Sequence, residues 1–144
     1  PSGIMPILDN LCGSVSGANC VVIGKSNILG KPISIMLTQK NATVTLCHSH
    51  TEDLAGITSR ADILISAVGK AGFVTANMVK QDAIVIDVGI NRNREGKLVG
   101  DVCFDDVVRK ADAITPVPGG VGIMTVTSLL ENTLKAAELA VGKR

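Results

Sequence analysis

The chain has 144 residues, 46% of them hydrophobic, and a formal net charge of +1, which fits one globular domain with a buried core. Aromatic residues make up only 1% and the charges are scattered, so neither a basic stripe nor base-stacking platforms indicate nucleic-acid binding. No apolar run approaches the roughly 18 residues that span a membrane, and no signal-peptide pattern is present.

Hydrophobic runs alternate with helix-like segments along the whole chain. Four runs are predicted as buried strands, at residues 20–23, 43–47, 63–68 and 84–88, and a weaker fifth at 113–115. The predicted helices cover residues 32–39, a segment that begins with Thr51 as N-cap, 75–79, 104–110 and 125–141. This alternation predicts a Rossmann-like α/β fold over residues 1–144, with a doubly wound parallel sheet of about five strands in a single domain. The polar segment 91–98 is predicted as an exposed hairpin or loop.

The joint after the first predicted strand has the layout of a nucleotide site, in which a glycine turn leads into a helix N-terminus. Gly24 and Gly30 flank the turn. The pattern departs from G-x-G-x-x-G, because Ser26 replaces the second glycine and the next glycine comes one residue late. On its own, a turn with two glycines is equally well explained by steric requirements of the chain, without any ligand. Gly69 and Gly89 follow two further predicted strands, and together these joints predict one extended ligand along the carboxyl edge of the sheet.

The end of the second predicted strand indicates which nucleotide is bound, because NAD-binding folds place an acidic residue there for the ribose 2′-hydroxyl. Residues 47–51 read CHSHT and contain no carboxylate. With Lys25 nearby, these hydroxyls and imidazoles suit a 2′-phosphate and favour NADP over NAD. The same residues also fit an ordinary strand exit. His48 and His50 lack a further ligand cluster, so we expect no metal site.

The four cysteines lie far apart and form no C-x-x-C pair. We therefore expect reduced structural thiols, as in a cytoplasmic protein or one of the mitochondrial matrix. The chain begins at Pro1 without an initiator Met, and we expect it to be a fragment or a processed product.

Six segments carry a resemblance to a known family: residues 24–32, 41–45, 47–49, 85–91 (VIDVGIN), 96–102 (GKLVGDV) and 115–122 (TPVPGGVG). Along nearly its whole length the chain resembles the cofactor-binding half of bifunctional methylenetetrahydrofolate dehydrogenase/methenyltetrahydrofolate cyclohydrolase. Such enzymes oxidise 5,10-methylenetetrahydrofolate with NADP and hydrolyse the methenyl product to 10-formyltetrahydrofolate. Their catalytic Lys and Tyr lie in an N-terminal folate-binding domain, and this chain contains no Tyr. The resemblance therefore implies no catalytic residue here and an inactive isolated domain.

The resemblance also assigns roles by position. The residues assigned to the cofactor are Gly24, Lys25 and Ser26 at its phosphates, Ser49 at the 2′-phosphate and Ile90 at the nicotinamide end. Those assigned to the cleft shared with the folate domain are Pro118, Gly119, Gly120 and Thr125. Two residues depart from the family pattern: Lys25 stands where Arg is common, and Ile123 stands where Pro is usual. Family members dimerise through this domain, so the resemblance implies an isologous homodimer, for which the segment 91–98 offers one surface.

Two other interpretations assign the chain to different classes of protein. The chain could be a non-catalytic module that binds a nucleotide or dimerises, and the presence of a preceding folate domain separates this alternative from the first. A different Rossmann dehydrogenase would need its own catalytic Lys, His or Asp near a strand end, and the sequence offers no convincing set.

Overall fold

The computed structural model describes residues 2–141, apart from the side chains of residues 123–129, 131 and 141. Its strands are β1 (Asn19–Ile23), β2 (Thr43–Cys47), β3 (Ile63–Ser66), β4 (Ile84–Asp87), β5 (Asn91–Arg92), β6 (Leu98–Val99) and β7 (Ala113–Ile114). Five of them form one parallel sheet in the order β2-β1-β3-β4-β7. The predicted Rossmann-like parallel sheet is therefore confirmed.

Helices cover both faces of this sheet. They are α1 (Ile4–Cys12), α2 (Gly30–Gln39), α3 (Leu54–Thr58), α4 (Phe104–Val107) and α5 (Val121–Val141), with a 3-10 turn at Ala76–Met78. Among the described residues, no helix combines the length and the apolar character that crossing a bilayer requires.

The core consists of two apolar layers, one on each face of the sheet, because successive strand residues point to opposite sides. On one face α1, α2 and the first residue of α5 pack against Val22, Ile65 and Ile86. On the other face α3, the 3-10 turn and α4 pack against Val21, Leu64 and Val85. Every residue of β3 and β4 is buried, which explains why these strands read as continuous apolar runs.

The first helix, α1, was not predicted from the sequence. Residues 1–8 resemble the family's linker into the cofactor domain, so no helix was predicted there. In the structure Pro6 lies in the first turn of α1, where its missing N–H leaves no hydrogen bond unmade. Ile4, Met5 and Leu8 are buried in the core, so tertiary packing stabilises a helix that local sequence does not indicate.

The N-cap of α3 is Asp53, and the prediction of Thr51 was wrong. Asp53 adopts a left-handed conformation with φ of 48°, and its carboxylate accepts the N–H of Gly56 at 3.2 Å. The Thr51 hydroxyl instead accepts the N–H of His48 at 2.8 Å and closes the turn that leaves β2.

Other predicted boundaries also shift. α2 and α5 begin earlier than predicted, at Gly30 and Val121, whereas α4 ends earlier, at Val107. For α2 the reason is visible: the N–H of Lys31 binds the Ser26 carbonyl at 3.1 Å, so the glycine turn winds directly into the helix. Residues 67, 68 and 88, predicted to end strands, lie in the loops that follow β3 and β4.

The segment 91–98, predicted as an exposed hairpin or loop, forms a hairpin. β5 and β6 pair antiparallel, with Asn91 opposite Val99 and Arg92 opposite Leu98. The Asn93 side chain stabilises the turn, because its Oδ1 accepts the N–H groups of Glu95 and Lys97 at 3.0 and 2.9 Å.

Replacing Leu8 by Ala tests whether α1 belongs to the core. Leu8 is 0% exposed, so we expect the Leu8→Ala variant to lose about 2–5 kcal/mol of unfolding free energy. Leu11→Ala on the same helix is the control, because Leu11 is 44% exposed and its loss should stay below about 0.5 kcal/mol. Urea unfolding followed by far-UV circular dichroism measures both, and equal losses would show that α1 does not pack as described.

Candidate functional site

The order of the strands opens a crevice at the carboxyl edge of the sheet. The chain leaves β1 toward β2 on one side and later returns to place β3 on the other side of β1. Ile23 and Ser66, the last residues of β1 and β3, are partners in register. The loops after these two strands therefore diverge at a topological switch point, where ligands bind in open α/β sheets.

A first cleft of about 500 Å³ lies at this point. The ends of β1, β2 and β3 line it, and four predicted cofactor residues come together there: Gly24, Lys25, Ser26 and Ser49. Its lining includes the basic side chains of Lys25 and Lys70 and the imidazole of His48, and it includes no carboxylate. This charge distribution suits an anionic ligand.

The glycine turn brings its backbone close to the loop that follows β3. Gly24 has φ of 113°, and a Cβ there would collide with the carbonyl oxygen of Ala67. A Cβ on Gly30 would in turn collide with the carbonyl oxygen of Gly24. Ser26 stabilises the same turn, because its Oγ accepts the N–H of Leu29 at 3.1 Å. The turn thus leads from residues 24–26, which line the first cleft, into the N-terminus of α2, a positive dipole end.

His48 faces the first cleft with a defined tautomer. Its Nδ1 accepts the N–H of His50 at 3.2 Å, so a neutral His48 carries its proton on Nε2. The backbone of His48 is fixed in turn by the hydroxyl of Thr51, which also lines the cleft. The end of β2 therefore offers hydrogen-bond donors to a ligand where many NAD-binding folds offer an acidic acceptor.

A second cleft of about 420 Å³ lies between the loop after β4 and the start of α5. The predicted residues Ile90, Pro118, Gly119 and Gly120 all line this cleft. Ile90 is 67% exposed and presents its side chain as an apolar surface. Thr125 falls within α5, but its side chain is outside the described residues, so its predicted role stays a prediction.

Sequence reasoning missed two buried carboxylates, Asp87, which lines the second cleft, and Asp101, which lines neither cleft. Asp87 ends β4 and accepts the N–H groups of Gly89, Asp101 and Val102 at 2.9, 3.0 and 3.0 Å. Burial raises the pKa of the Asp87 carboxyl above its ordinary value, against these three hydrogen bonds. An acid at the end of an otherwise apolar strand was the available signal, because a buried charge needs a dedicated set of donors.

The cysteines are free thiols in different environments. Cys12 is exposed, whereas Cys20 and Cys47 are buried in the sheet. Burial raises the pKa of Cys20 from 9.0 to about 11, with a further contribution from the negative charge of Asp62. Burial also raises the pKa of Cys47, which a hydrogen bond with Thr51 partly offsets. Within the described part of the chain, no group of three or more His, Cys, Asp and Glu side chains is placed to hold a metal ion.

A parallel sheet with a cationic cleft and an apolar cleft along one carboxyl edge, joined by a glycine turn, defines a Rossmann-like nucleotide-binding domain. Residues 1–141 match the family described as tetrahydrofolate dehydrogenase/cyclohydrolase, NAD(P)-binding domain. The chain belongs to this family, which confirms the resemblance seen in its sequence motifs.

Individual relatives agree with this assignment. The bifunctional protein FolD of Polaromonas naphthalenivorans is 59% identical over 138 residues, which are 96% of this chain and 49% of that protein. The crystal structure of the bifunctional FolD enzyme from Campylobacter jejuni has 48% identity and a TM-score of 0.94, covering 97% of this chain and 50% of that one. The Trypanosoma brucei dehydrogenase-cyclohydrolase, solved with NADP cofactor and inhibitor, has 42% identity and a TM-score of 0.90. The match covers 97% of this chain and 50% of that one. The chain thus spans about half the length of these relatives.

Proposed function

We propose that this chain is the NADP-binding half of a methylenetetrahydrofolate dehydrogenase/methenyltetrahydrofolate cyclohydrolase, an enzyme of one-carbon metabolism. The main support is the pairing of two clefts of different chemistry on one edge of the sheet, with Gly24, Lys25 and Ser26 at the first and Ile90 at the second. The Trypanosoma brucei relative, solved with NADP, supports the same cofactor.

In this proposal the dinucleotide lies along the carboxyl edge of the sheet. The 2′-phosphate is bound in the first cleft by Lys25 and Ser49, with the Nε2–H of His48 as a further donor. The pyrophosphate is placed at Gly24 and Ser26, which line the first cleft at the turn leading into α2. NADP is favoured over NAD because the acids that follow β2, Glu52 and Asp53, do not line this cleft, and Asp53 caps α3.

The second cleft supplies an apolar surface for the nicotinamide end. Ile90 packs against the ring in this proposal, and the backbone of residues 118–120 borders the place where folate approaches. When bound, NADP accepts a hydride from the methylene carbon of the folate. The residues of this chain orient the cofactor and exclude water, whereas the acid–base groups come from the N-terminal half of the intact enzyme.

We also propose that two copies associate through the face formed by α2 and β2. β2 is the edge strand and pairs only with β1 within the described part of the chain. Beside it lies an open groove of about 290 Å³, lined by Ile35, Val44 and Leu46 among others, and Ile35 is 58% exposed. The hairpin of β5 and β6 is less suited, because its tip exposes Arg94, Glu95 and Lys97 to solvent.

Lys25→Ala tests the cofactor proposal. We expect NADP affinity to fall by about tenfold. This is the low end of the range for a hydrogen bond to a charged group, because Lys25 is exposed to solvent. NAD, which lacks the 2′-phosphate, should lose much less. Titration calorimetry with both cofactors measures the difference, and Lys40→Ala, at the far end of α2, is the matched control. Equal losses for NADP and NAD would show that Lys25 does not contact the 2′-phosphate.

The 144-residue chain alone should bind NADP without catalysing either reaction, because it contains no Tyr and the proposed acid–base groups lie outside it. Spectrophotometric assays of NADPH formation and of methenyl hydrolysis, at protein concentrations well above those used for an intact FolD enzyme, measure this. Robust turnover would place catalytic groups within this chain and contradict the proposal. Lack of any NADP binding would contradict it as well and would favour a dimerisation module.

Ile35→Lys tests the α2–β2 face. In an isologous dimer each copy contributes the same patch, so the substitution places two lysines in one interface and should give monomers. Val108→Lys is the control, because Val108 is an exposed valine on the other side of the sheet, next to α4. Analytical ultracentrifugation across a dilution series gives the molecular mass. A wild-type chain that stays monomeric at high micromolar concentration would rule out the dimer, and a dimeric Ile35→Lys variant would rule out this face.

A further inference from the structure

Asp101 is 0% exposed and lines neither cleft, but it accepts hydrogen bonds from segments next to both. Its carboxylate accepts the backbone N–H groups of Val68 at 2.7 Å, Gly69 at 3.1 Å and Lys70 at 3.0 Å. These residues form the loop after β3, in which Val68 and Lys70 line the first cleft. One carboxylate thus fixes the conformation of a whole wall of that cleft.

The same carboxylate also binds the segment that leads into the hairpin. The side-chain amide of Asn91 donates to Asp101 Oδ1 at 3.0 Å. Asn91 is half-buried and directly follows Ile90, which lines the second cleft. The residue that follows Ile90 and a loop at the first cleft therefore share one acceptor.

Asp101 is itself held in place by Asp87. The N–H of Asp101 donates to Asp87 Oδ1 at 3.0 Å, and Asp87 also accepts the N–H of Gly89, in the loop that carries Ile90. The backbone N–H of Asp87 in turn binds the hydroxyl of Thr115 at 2.8 Å, close to the loop before α5. The loops of both clefts are thereby joined through two adjacent carboxylates.

The negative charge of Asp101 is compensated by neutral donors. Among the side chains that the structure describes, the ion pairs join exposed groups, and none of them includes Asp101 or Asp87. Burying a carboxylate is costly unless hydrogen bonds compensate its charge, and removing this one would leave the N–H groups of Val68, Gly69 and Lys70 unpaired. The conformation of these loops therefore depends on the carboxylate that they surround.

We propose that Asp101 is a positioning residue that fixes the spacing of the two clefts, so that one dinucleotide fills both at once. The inference rests on the proposed function, because it takes the nicotinamide ring to lie in the second cleft. Loss of the bond from Asn91 to Asp101 should free the loop of Ile90 while leaving the first cleft intact. The adenosine end of the cofactor would then bind normally and the nicotinamide end would not dock.

The fluorescence of NADPH reports on this docking separately from binding. A dihydronicotinamide emits more strongly in an apolar site than in water, and the chain contains no Trp or Tyr to interfere. Adenosine 2′,5′-bisphosphate occupies the first cleft only, so its affinity reports on the adenosine end alone. Wild-type chain should bind both ligands and enhance the emission of bound NADPH.

In Asn91→Ala we expect the affinity for NADPH to fall by about tenfold. The affinity for adenosine 2′,5′-bisphosphate should stay within about twofold of the wild-type value, because the two sites are then independent. The emission per bound NADPH should return to its value in water. Asp101→Asn should give the same loss of emission, together with weaker binding at the adenosine end, because it also disturbs the loop after β3.

Controls separate positioning from general destabilisation. Asp105→Asn and Asn132→Ala make matched changes at exposed positions and should behave as wild type. Asn91→Ala keeps the test valid if Asp101→Asn fails to fold. Unchanged emission per bound NADPH in Asn91→Ala, or wild-type binding without enhanced emission, would overturn the role of Asp101. Failure of the wild-type chain to bind NADPH would instead overturn the proposed function.

Discussion

The pairing of β1 with β3 sets the geometry on which both clefts depend. Ile23 and Ser66 end these strands side by side. The segments that follow them then diverge, one toward α2 and the other toward the loop at Val68. β3 and β4 are buried along their whole length, so the bases of the cleft loops are fixed by packing on both faces. The site is thus built from exposed loops on a rigid base, which is the usual position of a binding site in this class of fold.

The two clefts divide the recognition of one extended molecule by chemistry. The first combines lysines, an imidazole and a glycine turn, and each of these favours negative charge. The second is lined mainly by apolar side chains and by the backbone of the Pro118–Gly120 turn, which suits a flat and weakly charged ring. Asp87 and Asp101 use backbone N–H groups that would otherwise be left unpaired in tightly folded loops.

Much of the fold was predictable from the sequence, because buried segments have a recognisable hydrophobic pattern. β3 and β4 are apolar throughout because no residue in them reaches solvent, so their existence and type were predictable. Residues 67 and 68 were wrongly assigned to β3. For Val68 the reason is that its N–H donates to the carboxylate of Asp101, 33 residues away along the chain. α1 was missed for the same kind of reason, because its stability comes from contacts of Leu8 with distant strands.

The candidate site was predictable where it follows local chemistry. The glycines around the first turn, Lys25 and Ser49 lie where strand ends and turn residues place them. The family resemblance assigned Ile90 to the nicotinamide end of the cofactor and residues 118–120 to the cleft shared with the folate domain, and in the structure these residues line the same cleft. The role of Asp101 was not predictable, because its partners come from segments far apart in sequence and their convergence appears only in three dimensions.

The distribution of the cysteines has a consequence for how the chain responds to oxidants. A thiolate is the reactive form of cysteine, so the raised pKa of Cys20 and its burial leave that thiol inert near neutral pH. Cys47, buried at the end of β2, is protected in the same way. Cys12 lies exposed at the last turn of α1, with no other cysteine paired to it. Oxidants therefore reach Cys12 before the buried thiols of Cys20 and Cys47, and Cys12 lines neither cleft.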